Sequence, residues 1–408
     1  MNIQEIYKNN KNNFLYYNNN KVEDNRKEVL SKLDIKNFDK KNNESLKNIN
    51  LKKFFEFNYK YNNSTEPALT KKNSDGSYSI DLINGQCENF NDENIKIYNL
   101  TSNNHYEYFN NKLSDKDDFF IDLNSLFLNS GFKLEIKKNK SVKIKISNIV
   151  SEESLTVFQR NYLDCDYNTN VSLVEEYENK NEAINNVYNI IDLKENSSLD
   201  HTIIQDNTLD HSLILSTFTT CEKKALYKQR VYNFSDGYVR NFHYSDLNNI
   251  NSEVDLQGYF FLKDFNTTNN KTFVSHLAED CKSSQVYKGI LNNNSKATYF
   301  SNTYVDSIAQ KTEGYQLSKG ILLSDSSSYF SKPELKIYAD DVKCSHGSTI
   351  GPIDENAIFY LRSRGMSKNT ATKMLVSSFI NEDLNSIEDD NISEIIQKKL
   401  TRYLSQIK

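Results

Sequence analysis

Residues 130–149, SGFKLEIKKNKSVKIKISNI, contain the pattern that decides the fold. In two short runs, apolar side chains alternate with Lys, Glu or Ser, which is the period of a β-strand with one face on a core. We therefore predict two strands, each with one buried face and one face toward solvent. The alternating apolar positions are Phe132, Leu134, Ile136, Val142, Ile144 and Ile146.

Similar short runs lie on both sides of this stretch. Upstream, Tyr78, Ile80 and Leu82 alternate and lead into Asn84-Gly85, a dipeptide that favours tight turns with positive φ. Many short strands with polar turns and almost no helical periodicity predict a large, mainly β body. Downstream, the strand-like runs occupy residues 155–158, 171–174, 187–191, 202–204, 213–218, 225–231, 239–244, 255–262 and 297–305.

The pattern alone fits a sandwich, a barrel or a parallel β-helix, because no clean repeat period separates these folds. The Asn-rich turns favour the β-helix. A solenoid stacks equivalent turn positions, so Asn side chains can hydrogen-bond along the stack and tolerate a left-handed backbone.

Both ends of the chain have helical patterns. Apolar residues recur at helical spacing in residues 22–33 and again after Asp354, which can cap a helix, with Gly365 placed to end it. Further helices are expected from Ser367 and from about Ile392, and they would close the open edge of a solenoid. We predict an N-terminal helical region at residues 1–77, a β core at 78–340 and a C-terminal helical region at 341–408.

The composition restricts the classes of function. The net charge is −5 and the pI is near 5.8, with both signs interspersed, so a nucleic-acid-binding face is not predicted. No run approaches the roughly 18 apolar residues of a membrane span, and the opening residues lack a secretory pattern, so we expect a cytoplasmic protein without membrane contact. Cys87, Cys165, Cys221 and Cys281 are expected to be small buried residues without disulfides.

The clearest functional signal is DVKCSHGSTIG at residues 341–351. It places the Cys344 thiol and the His346 imidazole two residues apart, and zinc, iron or an iron–sulfur cluster accepts such ligands. Alternate residues of an extended chain point to one face, so both side chains can converge on one site. Two ligands do not complete a site, so a partner chain would have to supply the others.

Together with FYLRSRG at residues 359–365, this motif resembles the signature of the SufB/SufD family, the scaffold proteins of SUF iron–sulfur cluster assembly. Gly347 and Leu361 stand where the SufB-type paralogue has Glu and Cys, so the chain is similar to SufD. The resemblance extends over about residues 44–382. The similar segments are residues 84–85, 123–131, 160–161, 174–176, 240–241, 284–291, 309–312, 322–324 and 332–338.

The resemblance implies a right-handed parallel β-helix flanked by N- and C-terminal helical regions. It also implies a non-catalytic scaffold that pairs with a SufB-like paralogue and docks the SufC ATPase, which supplies the ATP hydrolysis. A homodimer is an alternative assembly where SufB is absent. No cofactor would bind tightly to this chain alone; a transient iron–sulfur cluster would form in the complex, and flavin binding is left undetermined.

The resemblance also assigns roles to residues. Cys344 and His346 would contact metal or cluster at the SufB interface, and residues of the FYLRSRG segment would dock SufC. One departure is that the family's aromatic N-terminal motif is replaced by ESLKNI at residues 44–49. The SufC-docking candidates are Phe359, Tyr360, Arg362 and Arg364.

Alternative functions remain open at this point. The chain would be a purely structural interaction subunit if Cys344 and His346 only shaped a subunit contact, and the SufB-type paralogue is a less favoured identity. A polysaccharide-cleaving β-helix enzyme is disfavoured because no export signal is found. No phosphate-binding loop, Gly-x-Ser-x-Gly elbow or His-Glu-x-x-His helix indicates an independent catalytic site.

Several other polar residues have structural interpretations. We interpret Asp200-His201 and Asp210-His211 as surface residues of turns rather than acid–base or metal groups. His276 with Cys281 is treated in the same way. Arg362 and Arg364 could equally form ion pairs with nearby carboxylates such as Asp354 and Glu355.

Overall fold

The computed structural model describes residues 3–16, 18–33, 60, 68–101, 118–179, 181–208, 211–384, 387 and 389–407. Most of them form a parallel β-solenoid of about eight turns, with helices toward both termini. The predicted mainly β, parallel β-helix fold is confirmed. The right-handed sense of the coil stays a prediction, and residues 44–49 lie outside the described residues.

Two ten-stranded sheets, here called sheet I and sheet II, form the solenoid walls. Sheet I comprises β1 Thr70–Lys72, β2 Tyr78–Ile83, β6 Ser141–Ile149, β8 Asn170–Tyr177, β10 Ser198–Gln205, β12 Leu226–Asn233, β14 Glu253–Leu262, β16 Lys282–Leu291, β18 Thr312–Leu322 and β20 Val342–Pro352. Sheet II comprises β3 Phe90–Asn91, β4 Ile95–Asn99, β5 Ser130–Ile136, β7 Leu155–Cys165, β9 Ala183–Leu193, β11 Ser212–Cys221, β13 Tyr238–Leu247, β15 Thr267–His276, β17 Lys296–Val305 and β19 Ser328–Ile337.

From β5 onward, consecutive strands alternate between the two sheets, and neighbours within each sheet pair in parallel. Antiparallel pairs occur only at the N-terminal end of the described sheets, between β1 and β2 and among β3, β4 and β5. Apolar residues fill the N-terminal interior. Farther along, the interior becomes polar, with Thr268, Asn270 and Thr272 all buried on β15. The sequence pattern missed β15 because three successive inward positions of this strand are Thr or Asn.

An asparagine ladder follows one row of turns. Asn139, Asn168 and Asn196 all have a left-handed backbone, with φ of 59°, 57° and 59°. The amide of Asn168 donates to Asn139 Oδ1 at 2.8 Å, and that of Asn196 donates to Asn168 Oδ1 at 3.2 Å. The predicted stacking of Asn side chains along solenoid turns is therefore confirmed.

Lys224 continues this row with φ of 56° but cannot extend the amide ladder. We expect Lys224→Asn to raise the free energy of unfolding by about 1 kcal/mol, because Asn adopts the left-handed backbone at less cost than Lys. Chemical denaturation would measure the change. Asn168→Lys is the reciprocal control, and it should lower the free energy of unfolding by a similar amount. If neither variant changes the free energy of unfolding, this turn position does not contribute to stability as proposed.

The N-terminal helices pack on the outer face of sheet II. They are α1 Ile3–Asn10, α2 Asn20–Lys32 and α3 Phe119–Phe127. Apolar side chains of α1 and α3 share one core with Phe158 of β7 and Ile184 of β9. The helix predicted at residues 22–33 is confirmed, and α3 lies within residues 78–340, the range predicted as the β core.

The C-terminal helices are α4 Glu355–Ser363, α5 Lys368–Leu384 and α6 Asp390–Ser405. Asp354 caps α4 through the N–H groups of Asn356 and Ala357, and Gly365 follows it with φ of 92°, as the sequence predicts. Apolar residues of α5 and α6 pack on outward aromatic side chains of sheet I. The contacting residues are Val376, Ile380, Ile396 and Leu400 with Tyr232, Phe234, Tyr259 and Phe261.

This packing corrects two expectations. The terminal helices cover the side of the solenoid and do not close its open edge, because their apolar faces match the aromatic rows of β12 and β14. In addition, the signature motif forms β20 and therefore belongs to the solenoid, not to the helical region assigned to residues 341–408. The extent of the three predicted regions otherwise stays a prediction.

Candidate functional site

The signature motif lies on the terminal strand of sheet I. In the parallel register, Cys344 is the neighbour of Gly314 on β18, and His346 is the neighbour of Gln316. Gly314 and Gln316 are buried at inward positions. Cys344 and His346 therefore share the inward side of the last strand, and they lie on one face as their spacing predicts.

Cys344 is half-buried beside a small apolar cluster that includes Val305, Ala309 and Ala339. Gly314 leaves the space for its sulfur, since a Cβ on that glycine would be 3.3 Å from the Sγ atom. Burial raises the pKa of the Cys344 thiol, and a backbone hydrogen bond at Gly314 offsets only part of this effect. The thiol is therefore protonated in the isolated chain, and a metal or a cationic partner would have to stabilise the thiolate.

His346 is exposed at the same end of the solenoid. No group of three or more His, Cys, Asp or Glu side chains suitable for a metal ion occurs in the described part of the chain. Cys344 and His346 would therefore form only part of any metal or cluster site, and their contact with metal stays a prediction.

The two strands at this end of the solenoid have free edges. β20 ends sheet I and β19 ends sheet II, and each pairs with only one neighbouring strand among the described residues. Large side chains remain exposed nearby, including Phe330 and Tyr338. Free backbone N–H and C=O groups along such an edge are suited to pairing with strands of another chain.

The predicted docking residues lie together on α4 and at its C-terminal cap, which is Arg364. Phe359 and Tyr360 are 73% and 55% exposed, and Arg362 and Arg364 are also exposed. The guanidinium of Arg364 stacks over the Tyr360 ring at 4.8 Å. Neither arginine makes an ion pair with any carboxylate that the structure describes.

The carboxylates considered as their partners are engaged elsewhere. Asp354 caps α4, and Glu355 approaches the Lys368 ammonium at 3.7 Å. The structure therefore favours an open cationic and aromatic surface on α4 over the alternative of local ion pairs.

The surface interpretation is wrong for His201 and His211, whereas Asp210 lies outside the described residues. His201 is only 1% exposed, and His211 is buried as well. His201 Nε2 lies 3.1 Å from a carboxylate oxygen of Glu175, and its Nδ1 lies 3.1 Å from the Tyr227 hydroxyl. Asp200, on the outward side of the same strand, pairs with Arg230. The available signal was Glu175 itself, which alternates with apolar residues on β8 and therefore had to point inward.

His276 and Cys281 are buried structural residues with separate partners. His276 Nε2 lies 2.8 Å from the Ser283 hydroxyl, whereas the Cys281 sulfur lies 3.3 Å from the Ser252 hydroxyl. Cys87, Cys165 and Cys221 are buried too, so the predicted role of these cysteines as small core residues is confirmed.

In the part of the chain that the structure describes, none of the helices has the length and apolar character of a membrane-spanning segment.

Comparison with known proteins gives the family. Residues 148–379, which include most of the solenoid and α4, match the model of the SufBD core domain of SUF-system FeS cluster assembly. The iron–sulfur cluster assembly protein SufD of Escherichia coli is 26% identical over 259 residues, which cover 63% of this chain and 61% of that protein. A SufBD family protein of Synechocystis is 24% identical over 288 residues, covering 67% of this chain and 64% of that protein.

SufD of Plasmodium berghei is 22% identical over 328 residues, covering 76% of this chain but 23% of that longer protein. The chain therefore spans less than two thirds of the length of each of these relatives. The matched region contains the solenoid turns from the end of β6 onward, both free edge strands and the Cys344–His346 motif. The chain belongs to the SufBD family.

Proposed function

We propose that this protein is a non-catalytic scaffold subunit of cytoplasmic iron–sulfur cluster assembly. It pairs with a SufB-like paralogue, supplies one side of an interfacial assembly site and docks a SufC-type ATPase. The cluster is the cargo of this assembly and not a resident cofactor. The observation that carries the proposal is the position of Cys344 and His346 on a strand with a free edge.

The free edges of β19 and β20 support pairing with a second solenoid. A similar solenoid brought to this end would add strands to both sheets and bury the exposed aromatic residues beside them. The interface would then enclose the inward side of β20, where the described part of the chain supplies no third metal ligand beside Cys344 and His346. Additional ligands from the paralogue would complete the coordination that the two residues begin.

The exposed surface of α4 supports the docking of an ATPase. Aromatic residues and arginines are the side chains most enriched at energetically important positions of protein interfaces. We expect Phe359→Ala with Tyr360→Ala to weaken SufC binding by at least about 2 kcal/mol. Titration calorimetry would measure the change, and Phe265→Ala, which alters an 80% exposed residue in a solenoid turn, is the matched control. Equal binding by all variants would contradict the assignment of α4.

Co-expression with the SufB-like and SufC-like proteins of the same genome tests the assembly. This chain would carry the purification tag, and native mass measurement would identify its partners. We expect one SufB-like and about two SufC-like chains per copy, as the family resemblance implies. Recovery of this chain alone, under conditions where the partners are soluble, would overturn the proposal.

Variants of β20 test the metal contact. We expect Cys344→Ala with His346→Ala to leave the complex assembled but to reduce its reconstituted cluster, measured by absorbance and iron content, by at least about tenfold. Ser345→Ala with Thr349→Ala is the control, because these residues lie on the opposite face of the same strand. Normal cluster yield in both double variants would instead identify a structural subunit without metal contact.

A further inference from the structure

The inward face of sheet I carries two amide side chains in line with the signature motif. Gln285 on β16 is the register neighbour of Gln316 on β18, and Gln316 is the register neighbour of His346 on β20. Both glutamines are buried inside the solenoid, whereas His346 is exposed at its end. A buried amide therefore lies next to one of the two residues proposed to contact metal.

The hydrogen bonds of the Gln316 amide fix its orientation. Its nitrogen donates to the Thr303 hydroxyl at 2.8 Å and to the backbone carbonyl of Glu334 at 3.2 Å. A carbonyl oxygen can only accept a hydrogen bond, so the nitrogen of the amide, and not its oxygen, must face Glu334. Because Thr303 is on β17 and Glu334 is on β19, Gln316 also spans the interior from sheet I to sheet II.

The amide oxygen of Gln316 is buried and has no hydrogen-bond partner among the described residues. Gln316 is only 3% exposed, and a buried acceptor that stays unsatisfied destabilises a fold. Gln285, its neighbour on one side, donates its amide N–H to Thr303 instead. The neighbour on the other side is His346, so the unsatisfied acceptor lies beside an imidazole.

His346 can supply the missing donor. A neutral imidazole has one N–H group and one acceptor nitrogen, and a metal ion binds the acceptor nitrogen. Metal-ligating histidines usually donate the remaining N–H to a protein oxygen. Side chains on adjacent turns of this solenoid do reach each other, as the 2.8 Å bond from Asn168 to Asn139 shows. Rotation about the side-chain bonds of an exposed residue is fast, so the His346 ring can turn toward Gln316.

We propose that Gln316 is a positioning residue for His346. Its Oε1 atom accepts the ring N–H of His346, which favours one tautomer and presents the other ring nitrogen to metal or cluster. The bonds of Gln316 to Thr303 and Glu334 hold the imidazole in a fixed place relative to both sheets. This inference rests on the proposed function and names the residue that orients one of its ligands.

The tautomer of His346 in the full chain tests the proposal without metal or partners. Nitrogen-15 NMR of chain labelled at histidine distinguishes protonated from unprotonated ring nitrogens, in mildly alkaline buffer where ordinary imidazoles are neutral. The signals that disappear in His346→Gln belong to His346. The test variant is Gln316→Leu, and the matched control is Gln285→Leu, which removes an amide with the same Thr303 contact from the preceding turn.

We expect Gln316→Leu to change the ratio of the two His346 tautomers by at least about threefold, because the ring loses one hydrogen bond. Gln285→Leu should keep the native ratio. An unchanged ratio in Gln316→Leu, or an equal change in both variants, would overturn the proposal. If Gln316→Leu does not fold, the native chain is compared with the urea-unfolded chain, and equal tautomer ratios in the two states would overturn it.

The measurement uses neither iron nor SufB-like and SufC-like partners, so its failure is distinguishable from failure of the proposed function. Normal cluster yield after replacement of Cys344 and His346 would remove the metal contact and leave the tautomer ratio of the native chain as it is. An unchanged tautomer ratio in Gln316→Leu would remove only the role of Gln316.

Discussion

Replacement of Arg240 by Met is expected to lower the free energy of unfolding by about 3–5 kcal/mol, because it leaves a buried carboxylate without its counter-ion. Arg240 is 1% exposed on β13, and it pairs with Asp118, which is also buried. Its guanidinium stacks on the rings of Phe120 and Phe242, 4.7 and 3.3 Å from their centroids. Urea denaturation followed by circular dichroism would measure the loss.

The size of this effect depends on the second role of Asp118. Its carboxylate also caps α3 by accepting from the N–H groups of Phe120 and Ile121. Asp118→Asn keeps a capping oxygen and removes the charge. The double variant Arg240→Met with Asp118→Asn should therefore be more stable than Arg240→Met alone, because no uncompensated charge stays buried.

An exposed ion pair provides the control for the Arg240 experiment. Lys398 and Glu394 form an i,i+4 pair on α6 with both side chains mostly in solvent. Lys398→Met should change stability by no more than about 0.5 kcal/mol. If Arg240→Met lowered the free energy of unfolding by as little as Lys398→Met, the buried Arg240–Asp118 pair would not attach α3 to the solenoid.

Acidification is expected to destabilise the solenoid through two interior histidines. Burial lowers the pKa of His243 to about 3, with nearby His201 adding to the effect, and burial lowers that of His276 to about 4. Both are neutral in the folded chain, whereas an unfolded histidine binds a proton below about pH 6.5. The contribution of the two neutral histidines to the free energy of unfolding is therefore complete above about pH 6.5, and it is lost as the pH falls below that value.

The expected magnitude follows from proton linkage. Each histidine contributes a loss of about 2 kcal/mol between about pH 7.5 and about pH 5, or about 4 kcal/mol together. His243→Gln should remove about half of this pH dependence while retaining a polar group near Ser245, which lies 2.7 Å from His243 Nε2. Denaturation midpoints of both chains across this pH range would give the difference.

Thr272→Val is the control for the histidine experiment. Thr272 is the register neighbour of His243 on β15 and is fully buried, but it does not titrate in this range. This variant should lower stability equally at both pH values. If His243→Gln behaves in the same way as Thr272→Val, the interior histidines do not control acid stability.

Local sequence features predicted many elements correctly because their causes are local. The alternation in β5 and β6, the helix at residues 22–33 and the Asp354 cap each depend on residues within a few positions of one another. The sequence pattern missed β15 because three of its inward side chains are Thr268, Asn270 and Thr272, and their hydrogen-bonding partners are distant in sequence: Asn233, Asn241 and Tyr299. The surface interpretation of His201 failed for the same reason, since Glu175 lies one turn away.

By itself, the sequence determined that the chain is mainly β, that its turns favour a stacked solenoid, and that Cys344 and His346 share one strand face. These results follow from side-chain periodicity and turn chemistry, which act over short stretches. Only the tertiary structure decided that β19 and β20 keep free edges among the described residues, and that α5 and α6 lie along the side of the solenoid. Those features depend on which distant surfaces pack together, and no local pattern encodes that choice.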